Sequence, residues 1–140
     1  MPSIYSYQKI IDAVTTHLLA LPEDVTTHQK VGTELCTIGG ITYVSIPDGY
    51  SLPSSQPSGI SPTHVALPIA DPLYTEICKA SPHVRLINYQ VQEMIAEQYS
   101  VCDELKLLRL GSSDPAFAAY NTFAESCRAW GKSEKAKLGL

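Results

Sequence analysis

The sequence predicts an α+β fold: an N-terminal helix plus a β-hairpin, a proline-rich connection, and a C-terminal helical hairpin or small bundle. Three patterns predict it: apolar residues at helical spacing near the N-terminus, β-branched runs around a Gly-Gly pair, and repeated helix-start signals in the second half. Changes in composition predict a helix and β-hairpin lobe at 1–46, a proline/serine-rich connection at 47–68 and a helical lobe at 69–140. Because 44% of the 140 residues are hydrophobic, the chain can bury a core.

The N-terminal apolar pattern predicts a helix from about Tyr7 to Ala20. Ser6 is a suitable N-cap, and Pro22 would end the helix because proline has no backbone N–H to donate. Gaps of three and four residues place the following apolar side chains on one helical face: Tyr7, Ile10, Ile11, Val14, Leu18 and Leu21.

The next block predicts a β-hairpin. Residues 34–38 and 41–46 are rich in β-branched and aromatic side chains, and Gly39 and Gly40 can adopt the positive φ angles of a two-residue turn. Neither face of the second strand is cleanly polar. An isolated hairpin is marginal in water, so we expect this one to lie on a helix, on further strands or on another chain.

The segment 47–68 holds half of the ten prolines, interleaved with serine and glycine. From this composition we predict no regular secondary structure in the segment, which leaves two interpretations. The segment is either a passive tether or an extended arm with polyproline character that presents Tyr50, Leu52 and Ile60 to a partner.

Proline-preceded helix starts organise the C-terminal half. They predict a short helix to about Ala80, a long helical stretch from Pro82, and a last helix from Pro115 to about Trp130, where Gly131 would supply the left-handed C-terminal residue. We expect Trp130, the single tryptophan, to be largely buried. Each start pairs an N-cap acceptor with proline at the first helical position: Asp71-Pro72, Ser81-Pro82 and Asp114-Pro115.

The long helical stretch carries a heptad pattern, which favours either a coiled coil between subunits or helices of an internal bundle. Ser100 and Asp103 have the spacing of a capping box, so a new helix is expected to begin at Val101. The positions of the pattern are Val84, Ile87, Val91, Met94, Gln98, Val101, Leu105 and Leu108.

Residues with catalytic or ligand chemistry are few and widely separated, so we expect no catalytic, cofactor or metal site and no enzyme. The four cysteines lie 42, 24 and 25 residues apart, too far for a short zinc or redox motif, and are expected to be buried thiols. The four histidines show no metal-ligand spacing. A net charge of −4 argues against nucleic acid as a partner, and no apolar run reaches the length of a membrane span.

Several segments resemble small tail-associated and tail-fibre-associated accessory proteins of tailed bacteriophages and Mu-like prophages. The resemblance implies a non-enzymatic connector, baseplate or fibre-assembly component, located in the bacterial cytoplasm or in the virion tail, whose partners are other tail proteins or itself. The alternatives are a general helical interaction module of a bacterium and a small enzyme with an unrecognised site. The segments are 40–49 with the proline-rich stretch after it, 95–100, 103–109, 119–121 and 127–131.

For such a protein, we expect the partner surface on the second hairpin strand and the proline-rich segment, because an unpaired strand edge can accept an added strand. We also expect a homo-oligomer, because the hairpin faces and the heptad pattern present more apolar surface than one short chain can cover. The expected partner-binding residues are Ile41, Tyr43, Tyr50, Leu52 and Ile60.

Overall fold

The computed structural model describes all 140 residues, with strands in the N-terminal half and helices in the C-terminal half. The strands are β1 (Ser3–Gln8), β2 (Ile10–Ile11), β3 (Thr16–His17), β4 (Thr33–Ile38), β5 (Ile41–Ile46) and β6 (Thr63–Val65). The helices are α1 (Pro72–Ala80), α2 (Pro82–Ala96), α3 (Val101–Leu110) and α4 (Pro115–Lys137). The fold is therefore α+β in general.

The predicted N-terminal helix from Tyr7 to Ala20 is wrong, and with it the predicted fold class as stated. This segment forms β1, then the antiparallel pair β2 and β3. The carboxylate of Asp12 accepts hydrogen bonds from the backbone N–H groups of Val14 and Thr15 and makes a turn there. The three- and four-residue gaps fitted a helix, but pairing of β1 with other strands overrides this local pattern.

The main sheet is antiparallel in the order β4-β5-β1-β6. The predicted hairpin of β4 and β5 is confirmed, and its turn residues Gly39 and Gly40 have φ values of 57° and 81°. Because β5 pairs with β4 on one side and with β1 on the other, it is an inner strand. The unpaired edge that we expected on residues 41–46 is absent.

Apolar layers cover both faces of this sheet. A bulge between Glu34 and Cys36 turns Leu35 and Cys36 toward the same face. The first layer contains Ile4, Leu35, Cys36, Tyr43 and Ile77, with Leu73, Leu138 and Leu140 packed against it. The second contains Tyr7, Leu19, Val44, Ile46 and Ile60, with Tyr50 and Leu52 packed against it.

The proline-rich segment 47–68 is not the structureless connection that its composition predicted. It contains β6, which pairs with β1 and forms one edge of the sheet. The side chain of Gln56 accepts a hydrogen bond of 2.8 Å from the backbone N–H of Ala20. Proline and serine exclude helix here, but they leave an extended chain free to pack its apolar side chains on the sheet.

The predictions for the first helices are confirmed. The helix α1 runs from Pro72 to Ala80, and the carboxylate of Asp71 accepts a hydrogen bond from the backbone N–H of Leu73. After α2 ends at Ala96, α3 begins at Val101 behind the predicted capping box.

The predicted end of the last helix is wrong. The helix α4 continues through Gly131 to Lys137, because Gly131 is a buried contact position rather than a C-terminal cap. Trp130 is neither fully buried nor exposed, and the expectation that it is largely buried stays a prediction.

The chain forms two compact units, residues 1–84 with 136–140 and residues 85–135. The first holds the sheet and its apolar layers. The second, here called the helical unit, has its own core, in which Ile95, Tyr120, Ala124 and Cys127 are buried. The division at 46/47 and 68/69 predicted from composition stays a prediction.

Candidate functional site

The outer face of α3 is the clearest unpartnered apolar surface of the helical unit. Val101, Leu105 and Leu108 are 71%, 57% and 57% exposed. Their gaps of four and three residues align them along one side of the helix. We call these three residues the α3 stripe. Scattered exposed apolar residues are ordinary, but a stripe along one helix indicates a contact surface.

The inner side of α3 holds the helix in place. Leu107 packs against the core of the helical unit, and no residue of α3 is fully buried. The hydroxyl of Ser100 accepts a hydrogen bond of 3.2 Å from the backbone N–H of Asp103, and the carboxylate of Asp103 accepts one of 3.2 Å from the backbone N–H of Ser100. These caps satisfy N–H groups at the start of a helix that buries little of itself.

A cleft of about 650 Å³ borders the α3 stripe in the helical unit. Val101 and Glu104 of α3 form part of its wall, and Val91 and Ile95 of α2 add apolar surface. Arg128 of α4 also lines the cleft and forms an ion pair of 2.5 Å with Glu125. This mixed lining contains no pair of side chains arranged as a nucleophile with its base.

Glu104 is fixed at the edge of the stripe. The buried Tyr120 hydroxyl donates a hydrogen bond of 3.1 Å to its carboxylate. Burial, and then this hydrogen bond to an anion, raise the pKa of Tyr120, so the hydroxyl stays protonated and remains a donor at neutral pH. Glu104 forms no ion pair within 4.0 Å, and neither does Arg109 on the opposite flank of the stripe.

The structure places the five predicted partner-binding residues on the sheet rather than on one free surface. Tyr43 and Ile60 are 6% and 5% exposed and belong to opposite apolar layers. Tyr50 and Leu52 are partly buried against the second layer. Only Ile41, at 43% exposure, remains open to solvent. Their apolar character reflects internal packing of the sheet.

The residues with ligand chemistry do not converge. No group of three or more His, Cys, Asp and Glu side chains is placed to hold a metal ion. All four cysteines are free thiols; Cys36 and Cys127 are buried as expected, whereas Cys102 is exposed. Burial raises the pKa of the Cys36 thiol, which disfavours the nucleophilic thiolate.

The heptad pattern contained the signal for the α3 stripe, but its spacing is the same in its buried and in its exposed part. Its first positions, Val84 and Ile87, are buried, whereas its last three are the exposed stripe. The capping box marked the point at which this change occurs.

No protein-family profile, curated protein or solved structure matches this chain. No helix of the structure is both long enough and apolar enough to cross a membrane.

Proposed function

We propose that this protein is a non-enzymatic assembly component that acts through protein–protein contacts made by the α3 stripe. The observation that carries the proposal is the exposure of Val101, Leu105 and Leu108 on a well-capped helix. Apolar stripes of this kind pack against a partner helix, which removes their surface from water.

The proposed setting is the tail of a bacteriophage or prophage, where the protein would serve as a connector, baseplate or fibre-assembly component. The resemblance of segments such as 95–100 and 103–109 to tail-associated proteins supports this setting, and the second of these segments contains most of α3. The protein would then act in the bacterial cytoplasm during assembly or remain in the virion tail.

The test uses purified tail proteins encoded beside its gene, each assayed for binding to the wild-type chain and to Leu105→Glu. A charge in the centre of the stripe should abolish binding without unfolding the protein, because this position is exposed. Leu86→Glu is the matched control, since Leu86 is a similarly exposed leucine on α2. Equal binding by Leu105→Glu and the wild type, or no binding to any tail protein, would contradict the proposal.

A further inference from the structure

The α3 stripe has the spacing of a coiled-coil seam. In heptad terms Val101 and Leu108 occupy d positions and Leu105 occupies the a position between them. A ten-residue helix is about 15 Å long, so this seam offers three apolar layers to a partner helix.

The charges that flank the seam are complementary to a second copy of the same helix. Glu104 occupies the g position on one flank, and Arg109 occupies the e position on the other, five residues later. They cannot form the usual i,i+4 pair within their own helix, and each lacks an ion-pair partner. The bond from Tyr120 keeps the Glu104 carboxylate at the seam edge.

Orientation decides whether these charges attract. In a parallel pair of helices, a g residue lies beside the e residue five positions later on the partner helix. Glu104 of each copy then meets Arg109 of the other, which gives two equivalent ion pairs around a two-fold axis. In an antiparallel pair, g residues face g residues, so the two Glu104 carboxylates approach each other and repel.

We propose that α3 is a homodimerisation helix: two copies of this chain pair their α3 helices in parallel, pack the α3 stripes together and exchange Glu104–Arg109 ion pairs. This inference rests on the proposed function for the identity of the surface, and the second copy would compete with a tail protein for the same stripe. The seam is short, so the dimer should form over a range of about 10 μM to 1 mM protein.

Sedimentation equilibrium of charge variants tests the ion pairs. Glu104→Arg and Arg109→Glu alone should each weaken self-association by at least about tenfold, because each homodimer then contains two like-charge pairs. An equimolar mixture of the two variants should recover association, since both cross pairs become complementary. Lys106→Glu, at an exposed position of α3 outside both the seam and the capping box, serves as a charge control. A monomeric wild type over the whole range, or single variants that associate like the wild type, would overturn the proposal.

Engineered disulfides test the orientation. In a Cys102→Ser background, Val101→Cys and Leu108→Cys place thiols in two d layers of the seam. A parallel pair brings each cysteine against its own copy, so both variants should form disulfide-linked dimers under mild oxidation. In an antiparallel pair, a positions face d positions, so position 101 or position 108 lies near position 105 of the partner instead. Cross-linking only when one of these variants is mixed with Leu105→Cys in the same background would therefore overturn the parallel arrangement.

The two proposals fail separately. A monomer that binds a tail protein through the α3 stripe would refute the homodimer and leave the proposed function standing. A charge-dependent parallel dimer that binds no tail protein would refute the proposed function and leave the homodimer standing.

Discussion

At the scale of single residues, Gly131 shows how one absent methyl group sets the packing of two helices. A Cβ atom added at this position would lie 2.5 Å from Cγ2 of Val91 and 3.6 Å from Cγ2 of Ile87. Glycine in the interior of a helix costs about 1 kcal/mol relative to alanine. The close approach of α4 to α2 offsets this cost.

We therefore expect Gly131→Ala to destabilise the helical unit by about 1–3 kcal/mol despite the better helix propensity of alanine, because the overlap with Val91 forces a shift. Thermal unfolding followed by circular dichroism measures the effect. Ser133→Ala, at an exposed position of the same helix, is the control and should be neutral.

A Val91→Ala background should reduce the cost of Gly131→Ala, since it removes the methyl group that the new Cβ would strike. If the two substitutions were simply additive, the contact between α4 and α2 would not be the reason for the glycine.

Hydrogen bonds favour the charged form of the Asp24 carboxylate. Its carboxylate accepts a hydrogen bond from the hydroxyl of Tyr50 and bonds of 2.8 Å from the backbone N–H groups of Thr27 and Thr26, which lower its pKa from 3.8 to about 2. A carboxyl whose pKa is lower in the folded state than in the unfolded state stabilises the fold at pH values above its unfolded-state pKa. This stabilisation should therefore be lost as the pH falls from about 4 to about 2.

Tyr50→Phe removes the hydrogen bond that lowers the pKa of Asp24 most. It should therefore raise this pKa and make stability less dependent on pH between about 4 and about 2. Carboxyl chemical shifts measured during an acid titration report the pKa directly. Tyr89→Phe, at an exposed tyrosine, should leave the titration of Asp24 unchanged. An unchanged Asp24 titration in Tyr50→Phe would show that the two side chains do not interact in solution.

At the scale of elements, the sequence predicted helices and turns better than it predicted sheet partners. Asp71, Ser100 and the Gly39-Gly40 turn act on their immediate neighbours, and local signals of this kind located α1, the start of α3 and the hairpin. The position of β1 between β5 and β6 depends on residues about 40 and 60 positions away. Periodicity over Tyr7 to Ala20 could not contain that information.

The capping box at Ser100 and Asp103 stabilises the start of α3. Since this helix buries no residue completely, its terminal hydrogen bonds contribute a large share of its local stability. Ser100→Ala should cost about 1 kcal/mol and increase amide hydrogen exchange along α3. The same variant should also weaken self-association, because the stripe depends on an ordered helix.

Ser112→Ala is a matched control, since Ser112 is an exposed serine just after the end of α3. Protection of the α3 amides that is equal in Ser100→Ala and in the wild type would show that tertiary packing alone orders the helix.

At the scale of the whole molecule, the candidate site was harder to predict than the elements that carry it. Ile60 and Leu108 are both apolar residues in patterns that predicted contact, yet the first packs inside its own unit and the second is exposed. Whether an apolar residue finds its partner within the chain depends on the arrangement of all elements. The apolar patterns of the sequence therefore indicated a contact surface, but they led us to predict it on the second hairpin strand and the proline-rich segment, whereas the exposed stripe lies on α3.

The two ends of the chain belong to the same unit. Residues 136–140, which include the end of α4, belong to the unit that holds the sheet, and Leu138 and Leu140 pack against the layer that contains Ile4 and Ile77. Glycine suits position 139 because its φ is 77°, a backbone conformation that residues with a Cβ atom rarely adopt. The last residues therefore stabilise an apolar layer whose buried members come from the sheet and from α1.

We expect the double substitution Leu138→Ala with Leu140→Ala to destabilise the sheet by about 2–4 kcal/mol, because both side chains leave cavities against a buried layer. Amide hydrogen exchange should increase in β1, β4 and β5, whereas the α4 amides that face Val91 should keep their protection. Val25→Ala, at an exposed valine of the same unit, should change neither set. Sheet amides that exchange at the wild-type rate in the double variant would mean that the C-terminal leucines contact the layer without stabilising it.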